Sequence, residues 1–259
     1  GSACRDEALR ALPEGTIDRY LKTIAFFNGD QQLAACHYYA CHPMSYYGDG
    51  RVSSDFAGLA RKRRQAETPH CTHLYFTGCA GNVAAGKYND GSQEMRPVLV
   101  DRIYQAIVAA GQSLRKEPVT SAGWHTVDVL PQPRPDLDAE QLQQQISNRS
   151  NPVVGRNRPS YMLSWLQRID QKIPIVISSL HLNNMKILHM PAESFIEYQL
   201  RAQELAKDSF VATAAYGDGG SWYIPIADEY PNGGYEVSVA FSDSSIDQQL
   251  TKAMQSVLS

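Results

Sequence analysis

Cysteine is scarce in this 259-residue sequence, and Cys4, Cys36, Cys41, Cys71 and Cys79 form no CxxC pair. Five thiols are too few for a disulfide-dense scaffold at this length, and most read as small buried hydrophobes. Cys36 and Cys41 lie five apart in an apolar extended run, which sends their side chains to opposite faces and argues against a bridge between them. Long hydrophobic runs are missing as well. No stretch reaches the roughly 18 to 20 consecutive apolar residues that span a bilayer, so no transmembrane segment is expected. The opening GSACRDEALR has no apolar signal core. A leader already removed would leave no trace, and the residues alone leave localisation open. Positive charge is not in excess: 24 Lys and Arg stand against 27 Asp and Glu, a net charge of −3, with a pI of about 6.2. Such a chain offers no broad field to gather phosphates, which excludes nucleic acid as a principal partner. GxSxG and HExxH are absent, as are internal repeats and low-complexity tracts.

What is present is an ordinary globular composition, 43% hydrophobic and 20% charged, arranged as strands alternating with amphipathic helices. QQLAACHYYAC (31–41) and THLYFTG (72–78) read as strands. DFAGLARKRRQ lies between them, with Asp55 placed to cap a helix. The residues Val98, Val100, Ile103, Ile107, Ala110 and Leu114 recur at helical spacing and predict a helix over 97–116 with Pro97 in its first turn. A strand is expected over 119–130, then a surface excursion over 131–171 with two helices around SNRSNPVVGRNRP. IPIVISSLHL and MKILHM, joined by Asn183 and Asn184, predict a hairpin. A helix over 194–207, the strand FVATAAY and a terminal helix carrying Ile246, Leu250, Ala253, Met254 and Val257 complete the chain. The pattern implies one α/β domain over 1–259, a layered mixed sheet flanked by helices.

Polar clusters fall where strands end: CHPMSYYGDGRVSSDF, TGCAGNVAAGKYNDG, and MPAES with GDGGSWYIPIADEYPNGGYE. Strand-end loops bring distant side chains together, so the candidate site is sought there. His42, between a strand and Pro43, suits a metal ligand or general base, or a hydrogen-bonded loop histidine. Glu193 opens a helix, where a carboxylate is also favoured by the helix dipole. Tyr223 starts the apolar YIPI segment and, taken alone, is a core aromatic. TGCAGNVAAGKYNDG lets backbone N–H groups approach an anion or carbonyl, but lacks the GKS or GKT ending of a nucleotide loop. His70, Cys71 and His73 match no zinc spacing and read as an exposed loop; His37, His181 and His189 read as structural. Cys79 is a candidate thiol nucleophile with no base beside it in sequence.

In order and content these blocks resemble the catalytic domain of the neutral/alkaline non-lysosomal ceramidase superfamily, especially its bacterial ceramidase-like members. His42, Ser45, Arg51, Ser54, Asp55 and Gly58 follow the order of the family's His-Gly-Thr-Ser block and the Arg, Ser-Gly-Asp and Gly after it, with one position of slippage. Pro191, Ala192 and Glu193 match its Pro-Gly-Glu with Ala for Gly. Tyr223, Asp228, Glu229, Tyr230, Tyr235 and Glu236 match its last block. The resemblance implies a ceramidase-like fold and a zinc-dependent hydrolase that cleaves an amide bond of a small-molecule or lipid-like N-acyl substrate. It implies His42, Glu193 and Tyr223 as zinc ligands. Arg51, Tyr230 and Tyr235 would orient the carbonyl or stabilise its oxyanion, while Gly81, Asn82, Ala84 and Asp218 would line the substrate site. A secreted or periplasmic setting is also implied.

The sequence departs from that family at two places. The family's other zinc histidine comes from an N-terminal His-Thr-His-type motif, which nothing before His42 matches; a separate N-terminal fragment that completes the domain is therefore an expected partner. Gly81, Asn82, Val83, Ala84 and Ala85 stand where the family has Gly-Asn-Leu-Ser-Pro, so a methyl group replaces the serine hydroxyl. Two rival readings follow: a non-catalytic binding or assembly subunit with an incomplete metal site, and a cysteine-dependent hydrolase using Cys79.

Overall fold

The computed structural model describes residues 2–217 and 220–259. Two sheets, rather than one, form its centre. In the first, β1 (Lys22–Asn28) pairs antiparallel with β2 (Gln31–Tyr39) through a turn at Gly29, whose φ of +57° suits glycine. The helix α2 (Asp55–Glu67) then crosses over to β3 (Thr72–Thr77), which runs parallel to β2. In the second sheet β4 (Ala122–Val129), β5 (Ile175–Leu182) and β6 (Met185–Pro191) are successive antiparallel neighbours, and β8 (Phe210–Gly217) lies parallel to β6. The expected Asn183-Asn184 hairpin forms, with Asn183 at φ +51°. A two-residue ladder of β7 (Glu193–Ser194) and β9 (Tyr223–Ile224) stands apart from both sheets.

Alternation along each strand sorts the side chains into layers. Ile24, Cys36 and Tyr38 of the first sheet pack on Ile187, Ala212 and Ala214 of the second. On the first sheet's other face Cys41 joins Phe56, Ala57 and Ala60 of α2 and Leu99, Ile103 and Ile107 of α3 (Met95–Gln112). The second sheet's outer face is covered by α5 (Val153–Asp170), α6 (Ile196–Leu205) and α8 (Ile246–Leu258), around Ile175, Ile177, Leu188, Tyr198, Leu250 and Met254. The result is a four-layer helix, sheet, sheet, helix stack. Short helices α1 (Glu7–Ala11), α4 (Ala139–Ser147) and α7 (Tyr235–Val239) complete it.

The expected α/β architecture of layered mixed sheet and flanking helices is present, with its strands divided between two main sheets, a division that hydrophobic periodicity does not show because it marks the buried face of a strand and not its neighbour. Two expectations are corrected. Asp55 does not cap α2 from outside. It is the helix's first residue, at φ +50°, and its buried carboxylate accepts from Ser45 Oγ, the Tyr46 N–H at 2.9 Å and the Phe56 N–H at 2.7 Å, tying the 43–54 loop to the helix. His73 is not in an exposed loop; it is buried in β3, its Nδ1 2.9 Å from Nε2 of His37, while His70 alone of that tract is exposed. The 131–171 excursion contributes Trp165 of α5 to the main core. Cys36 and Cys41 do face opposite sides of β2, and all five thiols are free.

Candidate functional site

The small β7/β9 ladder places Glu193 directly opposite Tyr223, so both side chains leave the same face. Sharp turns aim them there. Ala192 at φ +49° separates Glu193 from β6, and Trp222 at φ +57° precedes Tyr223. Tyr216, at the end of β8, holds φ +67° and donates its N–H to the Ala192 carbonyl at 2.9 Å. Left-handed backbone at non-glycine residues costs about 1–2 kcal/mol each, and three of the chain's such residues surround this point. Ala192 occupies the glycine position of the resembled Pro-Gly-Glu block, and its φ supplies the reason glycine suits it.

His42 reaches the cluster from the end of β2. Its N–H donates to the Val83 carbonyl at 3.0 Å, and it forms an isolated parallel bridge with Ala84. The ring's Nδ1 faces the same Val83 oxygen at 3.2 Å and therefore carries a proton, which leaves Nε2 for the site. That nitrogen lies 2.7 Å from Oε2 of Glu193 and 3.4 Å from the Tyr216 hydroxyl. The Tyr223 ring stacks on the imidazole with centroids 6.4 Å apart. Burial disfavours the imidazolium. The Glu193 hydrogen bond and charge, with the carbonyls of Val83 and Ala80, outweigh it and raise the His42 pKa. Burial, then the Glu193 carboxylate, pushes the Tyr223 phenol up, and the same pair of causes acts on Tyr216.

The sequence-derived residues divide into three groups. His42, Glu193 and Tyr223 come together, and Tyr235 joins them edge-on to Tyr223 at 5.7 Å. Gly81, Asn82 and Ala84 frame the cluster through the backbone. The Gly81 N–H donates to the Ser194 carbonyl at 3.0 Å, and a Cβ there would lie 2.3 Å from the backbone carbonyl oxygen of Glu193. Asn82 accepts the Ile196 N–H at 2.8 Å, and its amide donates to Glu197 at 2.9 Å, so it serves the start of α6. Arg51 and Tyr230 are engaged elsewhere. Arg51 pairs with Asp49, which Arg96 also contacts, and the Tyr230 hydroxyl donates to the Ser242 carbonyl at 3.1 Å, its pKa pushed up to about 12 by burial. Asp218 lies outside the described residues. Cys79 is fully buried in the core, and burial raises its thiol pKa, which removes the thiolate a nucleophile needs.

Tyr216 and α5 were not singled out in the sequence. Tyr216 could have been, because it ends a strand beside the glycine loop that precedes Tyr223. From α5, Tyr161 and Trp165 face the site together with Trp222 and Phe241, and with Glu193 and Tyr216 they line a cavity of about 470 Å³.

Among the described residues no group of three or more His, Cys, Asp and Glu side chains comes together. Any metal here would need phenol oxygen as well. The donor set of His42 Nε2, the Glu193 carboxylate and the Tyr223 hydroxyl fits zinc chemically, since zinc takes nitrogen and oxygen donors and catalytic sites use three protein ligands. The Val83 carbonyl on Nδ1 is the outer partner that ligating histidines usually have.

This arrangement is an α/β ceramidase-like fold. In particular, the chain is similar to the neutral ceramidase of Pseudomonas aeruginosa, with a TM-score of 0.67 and 13% identity, over 91% of this chain and 45% of that one. It is likewise similar to a ceramidase complexed with C2, with a TM-score of 0.62 and 13% identity, over 91% of this chain and 47% of that one. The chain thus spans less than half the length of these structures. No family model matches the sequence, and no curated protein matches it.

Proposed function

We propose that the protein is a metal-dependent hydrolase that cleaves an amide bond of an N-acyl compound, with zinc held by His42, Glu193 and Tyr223. The observation that carries this reading is the convergence of His42 Nε2 and Glu193 Oε2 at 2.7 Å, with the Tyr216 hydroxyl 3.4 Å from the same nitrogen and Glu193 and Tyr216 at the wall of a cavity. The similarity in fold to structures of ceramidases supports the reaction class, since ceramide is an N-acyl amide. Zinc, when bound, would polarise the carbonyl and lower the pKa of water.

The chain's own groups supply the rest. Val83 fixes the His42 tautomer, and the ladder holds Glu193 and Tyr223 in register. The Tyr216 hydroxyl, kept protonated by burial, is a hydrogen-bond donor to negative charge developing on the carbonyl oxygen. Ala84 offers no hydroxyl, so ceramide itself is not the proposed substrate. The test is release of acid from a panel of N-acyl compounds by the zinc-supplemented protein. Turnover abolished by chelation and reduced at least about 100-fold in His42→Ala supports the proposal; chelator-insensitive turnover, or none across the panel, overturns it. A second reading, a binding subunit that retains the fold, is favoured by the small number of His and carboxylate donors in the cluster.

A further inference from the structure

A second cavity, of about 580 Å³, shares no lining residue, among those described, with the one beside Glu193. Its floor is Cys41, Phe56, Leu99 and Ile103, part of the buried cluster that joins the first sheet to α2 and α3. The one polar group of these four, the Cys41 thiol, already donates to the His42 carbonyl at 3.7 Å. Val83 and Ala84 stand in its wall, the two residues that hold the His42 backbone. The volume falls in the range of small-molecule pockets, about 300–1,000 Å³, and an apolar floor gives water little to bind.

The roof offers a way in. It is formed by Leu9 of α1 and the segment 13–17. The helix α1 buries none of its residues, and Leu9 remains 57% exposed although it lines the cavity. Polar contacts tie this segment to the 86–90 loop: Arg10 Nε donates to the Lys87 carbonyl at 3.0 Å, Lys87 Nζ to the Leu12 carbonyl, and the Tyr88 hydroxyl to Glu14. A segment with few buried apolar contacts opens locally at small cost, and an apolar guest would take the exposed face of Leu9 out of water.

The rim limits the head group. Lys87 lies 3.9 Å from Glu14, and Arg102 and Glu197 add one charge of each sign. A charged head would leave water to meet its own sign as well as its opposite, whereas a neutral polar head finds donors and acceptors alike.

We propose that this cavity binds a neutral aliphatic compound, its chain on the Phe56, Leu99 and Ile103 floor and its polar head at the Lys87–Glu14 rim. The site involves no side chain of the zinc set and is independent of the function proposed above.

The test titrates the intact protein with 1-butanol, 1-hexanol and 1-octanol by calorimetry, and locates 1-octanol by hydrogen–deuterium exchange. One saturable site per chain is expected, with affinity rising about three- to fourfold per added methylene. Octanoate and octylammonium should bind at least about tenfold more weakly than 1-octanol, because a charge there is desolvated without a matched partner. Exchange should slow in 9–17 and 82–88 and stay unchanged in α5. Ala85→Phe puts a ring into the cavity and should weaken 1-octanol at least about tenfold, while Tyr161→Ala, in the wall of the other cavity, should not change it. No saturable binding of 1-octanol, equal affinity for octanoate or octylammonium, or protection confined to α5 would overturn the assignment. The ligand series and the exchange map on the native protein decide it even if Ala85→Phe misfolds.

Discussion

His37 and His73 show how completely a buried polar group can be specified by its neighbours. Thr68 Oγ1 donates to the Arg64 carbonyl at 2.9 Å, so it accepts from His73 Nε2, also at 2.9 Å. His73 Nδ1 then accepts from His37 Nε2, and His37 Nδ1 accepts from the Thr23 hydroxyl at 2.8 Å. Both rings are therefore Nε2–H tautomers in a one-way chain. Burial first, and then the neighbouring His73 and Arg64, lower the His37 pKa to about 3, and burial lowers that of His73. A depressed folded-state value means that the unfolded chain takes up protons first. Stability from this pair is present above about pH 6.5 and is lost as pH falls toward 3. Thermal unfolding between pH 7 and 4 should show this decline, and His37→Phe should flatten it; an unchanged slope in the variant would contradict the assignment. In the sequence His73 looked like part of an exposed tract, because nothing local announces a partner 36 residues away.

At the scale of elements, most strands and helices were legible because their apolar periodicity is strong: β2, β3, β5, β6, β8, α3 and α8 lie within a few residues of expectation. The terminal stripe of Ile246, Leu250, Ala253, Met254 and Val257 is fully buried or nearly so. The strand β1, KTIAFFN, was not read, since Ile24, Ala25, Phe26 and Phe27 run together without the apolar and polar alternation that marks a half-buried strand in sequence. The spacing of Tyr161 and Trp165 on α5 was present in the sequence, but the polar residues around it masked the face. Asn82 illustrates a role no local pattern reveals: it caps α6, whose N-cap residue Phe195 has no side-chain oxygen to offer. Asn82→Ala is expected to lower stability by about 1 kcal/mol in urea unfolding, the usual value of a lost cap. Unchanged stability with weakened ligand binding would instead return Asn82 to the substrate site.

Across the whole molecule, the site forms where four separate segments meet: the end of β2, the 80–84 loop, the β6–β7 turn, and the β8–β9 connection. The sequence identified His42, Glu193 and Tyr223 individually through the resemblance, and the fold brings them into contact. It could not show that Arg51 is held by Asp49 or that Tyr230 faces Ser242, because those partners depend on loop paths. The similarity to ceramidases, at 13% identity, lies in this arrangement of layers. It supplies the frame, and the chemistry depends on whether the cluster holds a metal. The most direct measurement is zinc stoichiometry by equilibrium dialysis on the native protein, His42→Ala and Glu193→Gln, with circular dichroism to confirm folding. The account expects about one zinc per native chain and none retained by either folded variant. Native protein that binds no zinc, or folded variants that bind it as well as the native chain, would contradict it.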